Sequence, residues 1–345
     1  MTALDLNHWQ NLVYAFWFGF VPAALIASPV MRLLIRTNTR QTISEFVPEH
    51  QKKQGTPTMG GIIVVLAGLL CLGLSAFIPG LPGAEYLVLW AGFAAIGFVD
   101  DFVVPRVVKG KRGLGWKQKF GLEILVAVIA LLLDGGMSPG LVALGVFLIL
   151  FASNAYNFAD GMDGLAASVG ILLLGGLVGI AFFVPMKGGL EPSVASILIG
   201  ALVPFLYLNA PPAKVFMGDV GSLPIGAAIG LIAFRLLFRE SSVRLVQAPW
   251  PAVLVAMIIL SLVLCAELIP VPLQIASVKI RKKRLFLMTP IHHGFEKRGW
   301  PETRIVWRFA LAQLLCSVLA VTVVAASTAG ADHSRSPSGT VHSKP

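Results

Sequence analysis

Charge is what this sequence has least of. Asp, Glu, Lys and Arg make up 13% of its 345 residues, about half the share usual in soluble domains. With 56% apolar residues and a mean hydropathy of +0.82, that scarcity excludes an ordinary soluble domain and describes a polytopic membrane protein. Cysteine is nearly absent. Cys71, Cys265 and Cys316 lie far apart in apolar runs, so a disulfide framework or a cysteine metal site is excluded and small buried hydrophobes remain. Acidic residues number 17 against 27 Lys and Arg. Such a surplus can signal nucleic-acid binding. In a membrane chain it marks cytoplasmic loops and attracts anionic head groups or phosphates, so no nucleic-acid partner is expected. Residues 1–10 are polar and lack a basic region, so no cleavable signal peptide is expected.

What the chain does have is apolar runs. Stretches long enough to span a bilayer recur about ten times, at 12–35, 58–78, 85–104, 119–134, 140–157, 165–185, 193–210, 220–238, 250–277 and 305–328. The expected fold is all-α: about ten transmembrane helices in one integral domain over 1–330, with a disordered Ser-, Pro-, Gly- and His-containing tail over 331–345. Basic residues concentrate in three loops. Arg32, Arg36, Arg40, Lys52 and Lys53 fall in the first, Arg106, Lys109, Lys111, Arg112, Lys117 and Lys119 in the second, and Lys279, Arg281, Lys282, Lys283, Arg284, Lys297, Arg298 and Arg304 in the third. Connections near 79–83 and 135–140 carry almost none. The positive-inside rule then puts these three loops in the cytoplasm and both termini outside.

Alternate counting of spans sends the unusual polar clusters to that same face. After the apolar run 141–152 comes Asn154-Ala-Tyr-Asn157-Phe-Ala-Asp160-Gly-Met-Asp163-Gly. On a helix Asn154, Asn157 and Asp160 share one side. Carboxylates at a membrane boundary are costly unless they meet water, a cation or a partner. Hard oxygen ligands of this kind suit magnesium, although a polar helix end in a short loop accounts for them equally well. Asp100-Asp101 close the third span just before a basic loop. Simple solvation is one reading, and the other is a metal–phosphate site, in which anions hold the cation and bases hold phosphates. Asn209-Ala-Pro-Pro-Ala-Lys-Val-Phe216-Met-Gly-Asp219 joins two spans. Asp219 there suits a helix cap as well as a ligand, and Phe216 suits packing as well as stacking on a base. Gly55-Thr-Pro-Thr-Met-Gly-Gly61 reads first as helix-entry chemistry. His292-His293 lack a partner at zinc-ligand spacing, so phosphate contact or proton transfer is the better functional reading. Glu267, inside an apolar span, is an intramembrane acid in need of a partner.

Taken in order, Lys-x-Gly-Thr-Pro-Thr-Met-Gly-Gly, Gly-Phe-Val-Asp-Asp, Asn-x-x-Asn-x-x-Asp-Gly-x-Asp-Gly-Leu-Ala, Phe-Met-Gly-Asp-x-Gly-Ser-Leu and Pro-Ile-His-His resemble the polyprenyl-phosphate N-acetylhexosamine-1-phosphate transferase family. The likeness runs from about Lys52 to the last span, nearly the whole chain. The Thr-Pro-Thr-Met-Gly-Gly form, with Gly-Trp-Pro-Glu after the histidines, resembles the family's muramyl-pentapeptide branch. The resemblance implies ten helices around a cytoplasmic-side cleft in the bacterial inner membrane, commonly as a homodimer. The implied reaction moves phospho-MurNAc-pentapeptide from UDP-MurNAc-pentapeptide to undecaprenyl phosphate. Carried over by motif, Asp219 would bind Mg2+, with Asp100 and Asp101 near the lipid phosphate. Asp163, Asn209 and Phe216 would hold the uridine side. Lys53, Lys117, Asn154, Asn157, Asp160, His292 and His293 would line the cleft.

The chain departs from that family twice. Gly294 stands where a third histidine is usual, and Val104 stands where a lysine follows the Asp-Asp pair, leaving Arg106 as the substitute cation. Arg keeps the charge without the geometry. Two other readings stay open: a sister transferase using UDP-N-acetylglucosamine, and a non-catalytic paralogue or transporter. Transporter sites lie near the midplane between internal repeats, whereas these acids gather at one face.

Overall fold

A computed structural model describes residues 3–37, 55–75, 83–108, 110–111, 113–133, 135–184, 191–238 and 249–333. Each expected span holds a helix among its described residues, and no strand occurs among the described residues. In chain order the helices are α1 (Ala3–Arg36), α2 (Ile62–Ser75), α3 (Ala84–Phe98), α4 (Val104–Val107), α5 (Trp116–Leu133), α6 (Pro139–Ala159), α7 (Leu165–Ala181), α8 (Glu191–Asn209), α9 (Asp219–Phe238), α10 (Trp250–Leu268), α11 (Pro270–Arg281), α12 (Ile291–Glu296) and α13 (Glu302–His333). The last runs three positions into the expected tail, whose residues from 334 lie outside the described ones.

Among the described residues, 7 helices are long and apolar enough to cross a membrane. The shortfall from the expected number has a physical basis. Helix α2 has 14 residues and α7 has 17, roughly 21 and 26 Å of rise against an apolar core about 30 Å thick. Helix α5 carries Lys117, Lys119 and Glu123. The expected span 250–277 is one of the seven, although it is built of two helices, α10 and α11, meeting at Ile269-Pro270.

Helix α9 is the axis of the bundle. Its most apolar stretch is 94% buried, as a helix that is apolar on every side requires. Helices α3 and α6 pack along it. Small residues let the backbones meet: a Cβ on Gly226 would come 2.6 Å from Ser153 Cα, and one on Gly230 2.7 Å from Ile149 Cα. Polar groups tie the helices where no water competes. Ser153 Oγ donates to Leu223 O at 3.0 Å, Tyr156 Oη to Ala166 O at 2.8 Å, and Trp90 Nε1 to Val65 O at 3.1 Å. At the far end of α9, fully buried Arg235 pairs with Glu85 of α3 at 2.7 Å and Glu191 of α8 at 3.3 Å, and lies over the Tyr86 ring. Burial is tolerable because both carboxylates face one guanidinium.

Candidate active site

The first turn of α9 is where the polar residues meet. Helix α3 does not stop at Phe98. It continues through a π-helical turn, Val99–Val103, into α4. Such turns re-aim side chains and recur at functional sites, and this one carries Asp100 and Asp101. Gly97 permits the approach, since a Cβ there would lie 2.3 Å from the Asp219 carbonyl. Asp101 Oδ2 accepts from Val220 N–H at 3.1 Å, satisfying an orphan donor of the α9 N-terminus. Asp100 Oδ1 accepts from Leu114 N–H at 2.6 Å, fixing the approach to α5.

One carboxylate oxygen from each of Asp100, Asp101 and Asp219 lies within 4.8 Å of the other two. Lys119 Nζ is hydrogen-bonded to Asp219 Oδ2 and stands 3.9 Å from Asp100. Asn157 Nδ2 donates to Asp219 Oδ1 and to Ser222 Oγ, both at 2.8 Å. Asp160 Oδ2 accepts from Gly218 N–H at 3.2 Å. Gly218 takes φ +74°, and a Cβ there would meet Asp101 Oδ2 at 2.6 Å, so both conformation and space require glycine. Burial first, then the negative charges of Asp219 and Asp101, push the Asp160 carboxyl well above the usual carboxylate range. A divalent cation among the three aspartates would oppose that push. The donor set fits such an ion: three hard carboxylate oxygens, with Asn157 and Lys119 around them, suit magnesium.

The expected face of α6 is real, and each member has its own task. Asn154 Nδ2 donates to Glu123 Oε2 at 2.9 Å, one helix away from the carboxylate cluster, while Asn157 and Asp160 reach Asp219 and Gly218. Asp163 and Asn209, expected to hold the uridine side, are 4% and 2% exposed. Both bond to backbone groups. Asp163 Oδ2 accepts from Ala213 N–H at 2.9 Å, Asn209 Oδ1 accepts from Gly164 N–H at 2.9 Å, and Asn209 Nδ2 donates to Val215 O at 2.8 Å. They build the 210–218 loop. That loop holds Phe216, half-buried, with its N–H on Pro57 O at 2.9 Å. Gly60 and Gly61 return N–H bonds to Phe216 and Met217, so the Thr-Pro-Thr-Met-Gly-Gly segment clamps this loop, in keeping with its structural reading. Lys53 lies outside the described residues.

Three expected residues stand apart from the carboxylates. Lys117 is exposed, over the Trp116 ring. Arg106 is exposed too. It lies 3.7 Å from the Phe102 ring centroid and donates to Thr37 O at 3.2 Å. His293 pairs with Glu296 on its own short helix at 2.9 Å. His292 is buried against Glu267, giving that intramembrane acid its partner. Among the described residues, the cation at the cluster is Lys119. Successive helical positions turn by about 100°, so Lys117 and Lys119 point to opposite sides, and only the phase of α5 tells them apart. Glu302 also carried no signal beyond its motif, yet its Oε1 accepts from Asp163 N–H at 2.8 Å.

A carboxylate cluster with an adjacent ammonium, at the end of a membrane bundle, is the equipment of a metal-assisted phosphoryl or glycosyl-phosphoryl transferase. Residues 84–237 match the model of glycosyl transferase family 4, and residues 53–65 match phospho-N-acetylmuramoyl-pentapeptide-transferase signature 1. The chain is 33% identical over 356 residues to the phospho-N-acetylmuramoyl-pentapeptide-transferase of Helicobacter pylori strain Shi470, covering 92% of this chain and 96% of that one. It is 35% identical over 360 residues to that of Campylobacter curvus (93% and 97%) and 35% over 336 residues to that of Heliobacterium modesticaldum (90% and 97%). The chain belongs to the phospho-N-acetylmuramoyl-pentapeptide-transferase family.

Proposed function

We propose that this chain transfers phospho-MurNAc-pentapeptide from UDP-MurNAc-pentapeptide to undecaprenyl phosphate, forming lipid I and UMP for peptidoglycan synthesis, with Mg2+ as cofactor. The observation that carries the reading is the convergence of Asp100, Asp101, Asp219 and Lys119 at one end of α9, in a chain related along nearly its whole length to enzymes of that name.

Both reacting groups are phosphates, so the protein chiefly positions them and neutralises charge. Magnesium would be held by Asp219 with Asp100 and Asp101, and supplies charge neutralisation on the diphosphate. Asp100 positions or deprotonates the lipid phosphate, whose second pKa of about 6 leaves its dianion common near neutral pH. The dianion's oxygen attacks the sugar-linked phosphorus directly, and UMP leaves. Asn157 orients Asp219, and Lys119 balances phosphate charge once the metal engages the carboxylates. Phe216 and its loop, shaped by Asp163 and Asn209, hold the uridine side. Lys53, Lys117, Arg106, Asn154, Asp160, His292 and His293 complete the approach to the cleft. The basic loops support a cytoplasmic-facing cleft with both termini outside, the apolar runs support ten spans over 1–330 in one domain, and the family likeness supports the inner membrane and pairing as a homodimer.

Purified protein in detergent, given Mg2+ and undecaprenyl phosphate, would be offered UDP-MurNAc-pentapeptide and UDP-N-acetylglucosamine in parallel. The expected result is UMP release and lipid-linked product from the muramyl substrate alone. Product only from the other sugar would assign the chain to the sister branch.

A further inference from the structure

Glu123 is a buried acid that the transfer chemistry leaves unused. It sits on α5, one turn beyond Lys119, and is 0% exposed. Asn154 Nδ2 donates to its Oε2 at 2.9 Å and to Leu150 O at the same distance, so that amide has no further proton to give. Oε1 is buried and, among the described residues, has no hydrogen-bond partner. A buried carboxylate with an open oxygen is costly unless a cation can reach it. The cation whose charge it feels is Lys119. Residues four apart on a helix share a face, and the flexible stem of a lysine lets the ammonium move while the backbone stays. In this structure the ammonium is on Asp219 Oδ2, while Asn157 holds Oδ1. Lys119 therefore occupies an oxygen that a divalent cation at the aspartates would claim, and two cations there repel strongly. Metal binding requires the ammonium to go elsewhere.

We propose that Glu123 is a positioning residue that receives the Lys119 ammonium when a divalent cation takes Asp219. Lys119 then has two anionic stations, Asp219 without the metal and Glu123 with it. Asn154 fixes the second station as Asn157, one turn along α6, fixes the first. The exchange clears the metal's ligand without sending the ammonium to water, and it keeps the charge beside the cluster until the phosphates arrive. This rests on the reading of the three aspartates as a magnesium site.

Metal binding is measured without either substrate, from the electron paramagnetic resonance of free Mn2+, for wild type, Glu123→Gln, Lys119→Met and the double variant of the full chain. Glu123→Gln keeps an oxygen for Asn154 and loses the charge that draws Lys119. It is expected to weaken Mn2+ binding about tenfold in the native background and less than about twofold when Lys119 is replaced by Met, because no ammonium then needs a second station. Equal losses in both backgrounds would make Glu123 only a source of negative field and would overturn the proposal. Unchanged binding in Glu123→Gln would overturn it too. A structure of wild type with Mn2+ decides without any variant. Lys119 Nζ within hydrogen-bond distance of Glu123 is the expected result, and Nζ still on Asp219 or turned to solvent would contradict it. A wild type that binds no Mn2+ would refute the magnesium reading and the proposal with it, whereas bound Mn2+ with additive variants would refute the exchange alone.

Discussion

Lys119 and Lys117 differ by two positions and by everything that matters to the chemistry. The first touches Asp219, and the second lies exposed beside Trp116. Lys119→Met is therefore expected to lower kcat by about a hundredfold, while Lys117→Met changes it by less than about threefold, read as UMP release. The reverse ranking would remove Lys119 from the site. Gly294 makes a second residue-scale test. A Cβ there has Met288 O at 3.5 Å as its nearest neighbour, an ordinary contact. Gly294→His is accordingly expected to fold with an unchanged melting temperature and to keep or raise turnover, and a clear fall in melting temperature would contradict this. At this scale the sequence singled out the aspartates and asparagines as a group, and the structure brings Asp100, Asp101, Asn157, Asp160 and Asp219 together at the start of α9. It could not separate groups that gather at the carboxylate cluster from groups that fold the loop, because Asp163 is the same residue type as Asp219, and Asn209 the same as Asn157, while their bonds to backbone N–H and C=O groups depend on the tertiary structure.

Elements bring these residues together through close backbone approach. Gly97→Ala would put a methyl 2.3 Å from the Asp219 carbonyl, whereas Gly73→Ala, one helix back on α2, meets nothing within 4 Å. The first is expected to lose about 1–3 kcal/mol of stability by overpacking and much of the activity with it. The second is expected to match wild type or gain a few tenths of a kcal/mol from helix propensity. Thermal unfolding in detergent checks both, and equal effects would deny that α3 and α9 meet at Gly97. The helices were legible because apolar runs of spanning length admit few other readings. The π-helical turn at Val99–Val103, the break between α10 and α11, and short α12 were not legible. They depend on packing against α9, α10 and α13, which local pattern does not record.

At the scale of the whole molecule, charge sorts the two ends of the bundle. The carboxylate cluster shares one end with the described part of the second basic loop, through Leu114 on Asp100 and Lys119 on Asp219, and the buried Arg235–Glu85–Glu191 set lies toward the other end of α9. Removing one partner, as in Arg235→Met, strands two buried carboxylates and is expected to cost about 3–5 kcal/mol. Adding Glu85→Gln and Glu191→Gln should recover a large part of that loss. Orientation is tested separately by single cysteines in intact cells. A membrane-impermeant maleimide is expected to label Ser138→Cys directly and Lys111→Cys only after permeabilisation, and the opposite pattern would invert the topology.

The most direct test of the catalytic centre is lipid-linked product from UDP-MurNAc-pentapeptide and undecaprenyl phosphate, measured by mass spectrometry for wild type and Asp219→Asn at equal amounts of folded protein. The cluster predicts product from wild type with Mg2+, none with chelator, and a loss of about a thousandfold in the variant. Undiminished product from Asp219→Asn would contradict it.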